Sequence, residues 1–232
     1  MKKVLTVLVL SVLLISLSSN NSQAQFRLKL GPQVGLNYNL HTGSDMEETG
    51  TGFGLVIGGT VDMSFTPTIG LITNMQFYDN RSGSTTNETS RHYTGENNEP
   101  VTSTYTIENS VSLAYFLIEP LFKLNMPNSN LYFVMGPSFG FNVEGSGERI
   151  VTEKFPPAYA NNDTKATDKV KYTDLLARFE LKMGAGMDIP LSTGLYLAPQ
   201  LSFGYGITKV ESDVAWRVLT IQGLVAVKFS LL

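Results

Sequence analysis

Two histidines, His41 and His92, are the only imidazoles available for acid–base work, and the chain has no cysteine. His41 is followed by Ser44 and Asp45, the residue types of a hydrolase or acyl-transfer centre. An acyl-transfer site also needs an apolar hole for the chain it accepts. Both histidines instead fall in stretches rich in Ser, Thr, Asn and Gly, where solvated loop side chains are expected. Asp45, Glu47, Glu48, Asp163 and Asp168 offer oxygen ligands for Ca²⁺ but lack the spacing of a calcium loop. The sequence holds no phosphate loop, dinucleotide fingerprint or zinc spacing. The expectation is no enzyme, no cofactor and no metal.

The remaining chemistry-bearing groups are charges. Arg27, Lys29, Lys123, Arg178, Lys182 and Lys228 share alternating segments with Asp62, Glu119, Glu144, Glu180 and Asp188, nearly balanced in sign. Charged residues make up only 16% of the 232, and net charge is −3, so no basic footprint points to nucleic acid. At the start, Lys2 and Lys3 precede an apolar run from Val4 to Leu17 and a Ser22-Gln23-Ala24 cleavage site. Residues 1–24 therefore read as a signal peptide, and 25–232 as one domain.

Period-two alternation is the main structural signal, the mark of strands with one apolar face. It recurs eight times, in segments beginning at Phe26, Phe53, Ile69, Tyr115, Leu131, Ala177, Leu195 and Leu219. The connections alternate in length. Those at Thr66-Pro67, Pro127-Asn128-Ser129 and Leu191–Gly194 are short; those near 40–51, 79–104 and 145–173 are long and polar, while the one near Val210–Asp213 is short. Four prolines on the apolar face, Pro32, Pro120, Pro137 and Pro199, each remove a ladder donor, and bulges are expected there.

The apolar face can line a soluble barrel or meet lipid. Twelve of the thirteen phenylalanines, all but Phe155, fall on it. An eight-stranded interior is too narrow for so many rings, whereas a lipid belt has room. The opposite face is rich in glycine, which suits a cramped lumen, and its balanced charges suit enclosure, because buried ions must be paired. The fold class expected is all-β: an eight-stranded antiparallel up-and-down transmembrane barrel. A lipocalin-like binder of a hydrophobic ligand is the soluble alternative.

The segment Tyr115-Phe116-Leu117-Ile118-Glu119-Pro120-Leu121-Phe122-Lys123 resembles a strand of the outer membrane β-barrel family that includes the PorT-like proteins. The start Lys29–Asn37 and the Gly-rich seventh strand are similar too, and OmpA/OmpX-type barrels are more distant matches. The resemblance implies a Gram-negative outer membrane location and contact with lipid and lipopolysaccharide. Insertion by the barrel-assembly machinery and periplasmic termini are implied as well. It is nearly silent on activity. The functional expectation is a structural or surface-interaction protein with a side-chain-filled polar lumen, long extracellular loops and no open pore, its protein partner on the surface or in the periplasm unidentified. Small-solute transport or binding through Arg178, Glu180 and Lys182 is the alternative, and a lipid-modifying enzyme at His41 or His92 a third.

Overall fold

The computed structural model of the chain describes residues 26–43, 49–95, 99–172, 175–211 and 215–231. The expected leader over 1–24 and the Ser44, Asp45, Glu47 and Glu48 cluster lie outside the described residues. The strands are β1 (Arg27–Thr42), β2 (Gly50–Ser64), β3 (Ile69–Thr94), β4 (Pro100–Asn125), β5 (Leu131–Lys154), β6 (Thr164–Lys171), β7 (Arg178–Met187), β8 (Ile189–Ser192), β9 (Leu195–Gly206) and β10 (Arg217–Ser230). Eight of them form the barrel in the order β1-β2-β3-β4-β5-β7-β9-β10, every pair antiparallel, and β10 returns to pair with β1. Closure leaves no barrel edge unpaired, which meets the backbone hydrogen-bond demand of a lipid environment. The short β8 pairs with β9 at the turn end, and β6 pairs with β5 outside the barrel.

The apolar stripe faces outward. Phe53, Met183 and Leu201 are 72%, 61% and 62% exposed, while neighbours of opposite parity such as Lys182 and Ser202 are buried. This removes the soluble, inside-out alternative, because the phenylalanines form the outer belt. Gly31 shows why small residues line the lumen face: a Cβ there would fall 1.7 Å from the Val227 carbonyl oxygen, so β1 and β10 approach too closely for a side chain.

The prolines and the bulges are at different places. Pairing of β4 with β5 lapses between Ile118–Phe139 and Phe122–Met135, a gap that holds both Pro120 and Pro137. A similar gap between Leu30–Phe229 and Gln33–Ala226 holds Pro32. The missing donors of these three are thus absorbed as lapses in the ladder, whereas Pro199 stays in register opposite Val225 with no bulge. The register shifts lie elsewhere: at Ile57/Gly58 against β3, between Gln76 and Asp79, and at Ala114/Tyr115, where Asn142 and Glu144 flank Val143. The first two record one extra residue in β3, at Phe77-Tyr78, and the third records one in β5, at Val143; each reverses the inward parity of its own strand.

The stretches expected as loops 79–104 and 145–173 are largely strand. β3 and β4 stay paired as far as Thr94–Pro100, β5 follows β4 to Lys154–Thr104, and β6 adds a fourth strand from Ser146–Lys171 to Glu153–Thr164. The barrel wall therefore rises beyond its rim as a four-stranded arm. Threonine supplies the β-propensity there in place of large apolar residues.

Candidate functional site

The lumen is filled in three tiers. Nearest the short turns, Lys123 on β4 and Lys228 on β10 each donate to Asp62 Oδ2 at 2.8 Å. Asp188 accepts from Lys123 at 2.8 Å, Lys29 at 3.0 Å and Lys228 at 3.1 Å. The Tyr132 ring lies 4.3 Å from the Lys123 ammonium and 5.2 Å from that of Lys228.

The second tier crosses the middle. Lys182 donates to Glu119 and, at 2.8 Å, to the Gln222 side-chain carbonyl. Glu119 also accepts from Ser138 at 3.2 Å and Asn74 at 3.3 Å. Arg178 donates to Glu180 and to the Val218 carbonyl, the latter at 2.7 Å. Arg81 donates to Asp79 at 2.5 Å and to the Thr220 hydroxyl, and lies 3.7 Å from Glu180. Three cations meet three carboxylates here. Each buried ion costs several kcal/mol to desolvate, which only such partnering offsets.

The third tier, toward the arm, is apolar: Leu113, Tyr115, Leu117, Val210, Trp216 and Val218 form one buried cluster. A second cluster of Ile72, Leu121, Tyr132 and Val134 sits on the β3–β5 side. The lumen is thus part apolar, where a polar filling was expected.

Of the residues singled out from sequence, Lys29, Asp62, Lys123, Asp188 and Lys228 come together in the first tier. Glu119, Arg178, Glu180 and Lys182 come together in the second. Arg27 and Glu144 join neither; both are exposed, Arg27 at the turn-end rim and Glu144 at the base of the arm. The extra residue at Val143 turns Glu144 outward. Asp79 and Arg81 were missed because Phe77 and Tyr78 both face outward at a bulge, 61% and 40% exposed. Past that step the inward parity changes from even to odd, and an Asp-x-Arg pair on the new parity was the signal available.

His41 is not a solvated loop residue. It is 1% exposed at the end of β1. Trp216 Nε1–H donates to His41 Nδ1 at 3.0 Å, and His41 Nε2 lies 3.1 Å from the Ser82 carbonyl oxygen. Because the indole can only donate, Nδ1 is the acceptor and Nε2 carries the hydrogen given to Ser82. Both nitrogens are occupied, so neither is available as a general base. His92 lies exposed on the arm, 3.0 Å from the Thr102 hydroxyl. Among the described residues no cluster of three or more His, Asp or Glu is placed to hold a metal ion. His41→Ala is expected to strand the buried indole N–H, lowering stability by about 1–3 kcal/mol. Trp216 is the only tryptophan, so its emission reports the change; an unshifted spectrum and unfolding midpoint would contradict the assignment.

The arm has a small ordered centre. Val101 and Ser103 are buried, and Tyr93 packs on Phe155 at 5.4 Å. Glu153 accepts from the Ser103 and Tyr93 hydroxyls, both at 2.6 Å, and these hold its carboxyl below the usual glutamate range. The Arg91 guanidinium lies over the Tyr105 ring at 3.4 Å. Among the described residues two edges of the arm stay open: β6, exposed along its length with Lys165, Lys169 and Lys171, and β3 beyond Ser84. Lysines on an edge discourage indiscriminate strand pairing.

A family model described as outer membrane protein beta-barrel domain matches residues 21–212. No curated protein matches the sequence. Among solved structures, the chain is similar to the attachment invasion locus protein Ail of Yersinia pestis, with 11% identity over 87% of this chain and 99% of that one, at a TM-score of 0.34. Neisserial surface protein A matches at 10% identity over 87% and 97%, TM-score 0.35. OprG from Pseudomonas aeruginosa matches at 12% identity over 89% and 95%, TM-score 0.33.

Proposed function

The chain belongs to the outer membrane protein beta-barrel domain family, and from that premise we propose that it is a closed, non-enzymatic barrel acting as an interaction protein through its arm. It is an integral β-barrel of the Gram-negative outer membrane. In this reading residues 1–24 are a cleaved leader, the barrel-assembly machinery inserts the rest, and the short turns and both termini are periplasmic. That orientation follows from the asymmetry of connection length. The arm then stands among lipopolysaccharide at the cell surface.

One observation carries the reading: the wall continues unbroken into a four-stranded sheet, while ion pairs and apolar side chains occupy the lumen beneath it. A lumen so occupied does not pass solutes freely, and a sheet held in register presents a fixed surface. In planar bilayers the refolded chain is expected to give no stable conductance of porin size; such a conductance would overturn the closed barrel. Trypsin applied to intact cells is expected to cut the exposed β6 lysines. Cells that protect the arm until lysis would place it on the periplasmic side.

A further inference from the structure

We infer that the turn-end mouth of the barrel is a binding site for an oxyanion, a phosphate or carboxylate group presented from the side of the short turns. Unlike the middle tier, the first tier does not balance among the described residues: there Lys29, Lys123 and Lys228 share Asp62 and Asp188. Lys123 and Lys228, 1% and 2% exposed, each touch both carboxylates, so the uncompensated charge falls on Lys29, which reaches Asp188 alone.

The imbalance opens onto space. A cleft of about 850 Å³ reaches this tier from the turn end, lined by Lys29, Lys123 and Asp188 inside and Arg27 at its rim. Asp188 is the only acidic side chain among the described residues lining it, and Asn128 and Asn130 line its outer part. The Lys29 ammonium gives one hydrogen bond to Asp188 and rests 3.9 Å over the Tyr196 ring, which fixes its position without using its remaining N–H donors. An anion at Lys29, with Arg27 adding positive potential from the rim, would take charge-assisted hydrogen bonds from the lysine and cancel the excess. Neutral solutes gain nothing comparable, and a cation is opposed. The inference does not depend on what the arm binds.

The test uses the full mature chain refolded in zwitterionic micelles at low ionic strength, where screening is weak. Calorimetric titration with inorganic phosphate is expected to show saturable binding at one site per chain. Lys29→Gln should weaken it by about tenfold or more, the loss of one charge-assisted bond, and Arg27→Gln should weaken it through the lost rim charge. Retained mobility shift on boiling shows that both variants still fold; Arg27 is exposed, so its variant is the safer of the two. Arg91→Gln on the arm should bind as wild type. A parallel titration with short-chain phosphatidylglycerol separates sources: tighter binding than phosphate supports the site with a lipid headgroup as ligand, and weaker binding supports it with a free anion. Absence of saturable phosphate binding, or binding undiminished in both variants, would overturn the inference.

Discussion

Glu119→Leu is expected to be among the most damaging single changes in the barrel, lowering stability in micelles by about 3–5 kcal/mol. Glu119 is fully buried and is the carboxylate to which Lys182 donates. Without it the Lys182 ammonium keeps only the neutral Gln222 carbonyl, while Asn74 and Ser138 lose an acceptor. The middle tier is then left with three cations on two carboxylates. A charge stranded in the lumen cannot reach water without opening the wall, which closes on itself through β10 and β1. Pairing the change with Lys182→Met removes the orphan, and the double variant should recover more than half of the loss. Urea unfolding followed by cold and boiled gel mobility measures both. A single variant as stable as wild type would mean that water already reaches this tier and that the lumen is not closed. A double variant no better than the single would place the damage in packing rather than charge.

The eight barrel strands were legible because lipid on one side and a crowded lumen on the other impose sharp contrast at every second residue. Legibility failed where that contrast or that period failed. At Phe77-Tyr78 two outward rings in succession look like the end of a strand, so Asp79 and Arg81 were assigned to a loop although they complete the middle tier. At Val143 the same kind of step turned Glu144 out of the lumen. The arm was invisible for a different reason. Thr102, Thr104 and Thr106 alternate with Val101, Ser103 and Tyr105, but water lies on the outer side and the inner side is only partly covered, so no strong apolar stripe marks it. His41 could not be placed from sequence because its partner is 175 residues away, in the segment just before the last strand. The pairing within the charge tiers was unreadable for the same reason: alternation tells which side chains face inward but not their height in the barrel, and height decides who meets whom.

Lys182 and Met183 put the two faces to a direct comparison, and the second large effect is expected there. Lys182 is a native charge, 3% exposed inside the lumen, with an acid and an amide for partners. Met183 is 61% exposed on the outer face, midway along β7 and paired with Phe203 of β9. Leucine 181 and Leu201, both more than half exposed, share that belt. Met183→Arg should cost about 2–4 kcal/mol in a lipid bilayer, the depth-dependent cost of an arginine facing lipid near the midplane. The same change moved to an arm position such as Thr104, exposed above the belt, should alter stability little, since water solvates the guanidinium there. Thickness gives a further check: in a thinner bilayer the arginine reaches the interface more readily, so the cost should fall. Refolding yield and unfolding midpoint in vesicles of two acyl lengths would show it. If Met183→Arg were neutral in both, the belt would not lie at this height, and the membrane would have to be placed closer to one rim of the barrel.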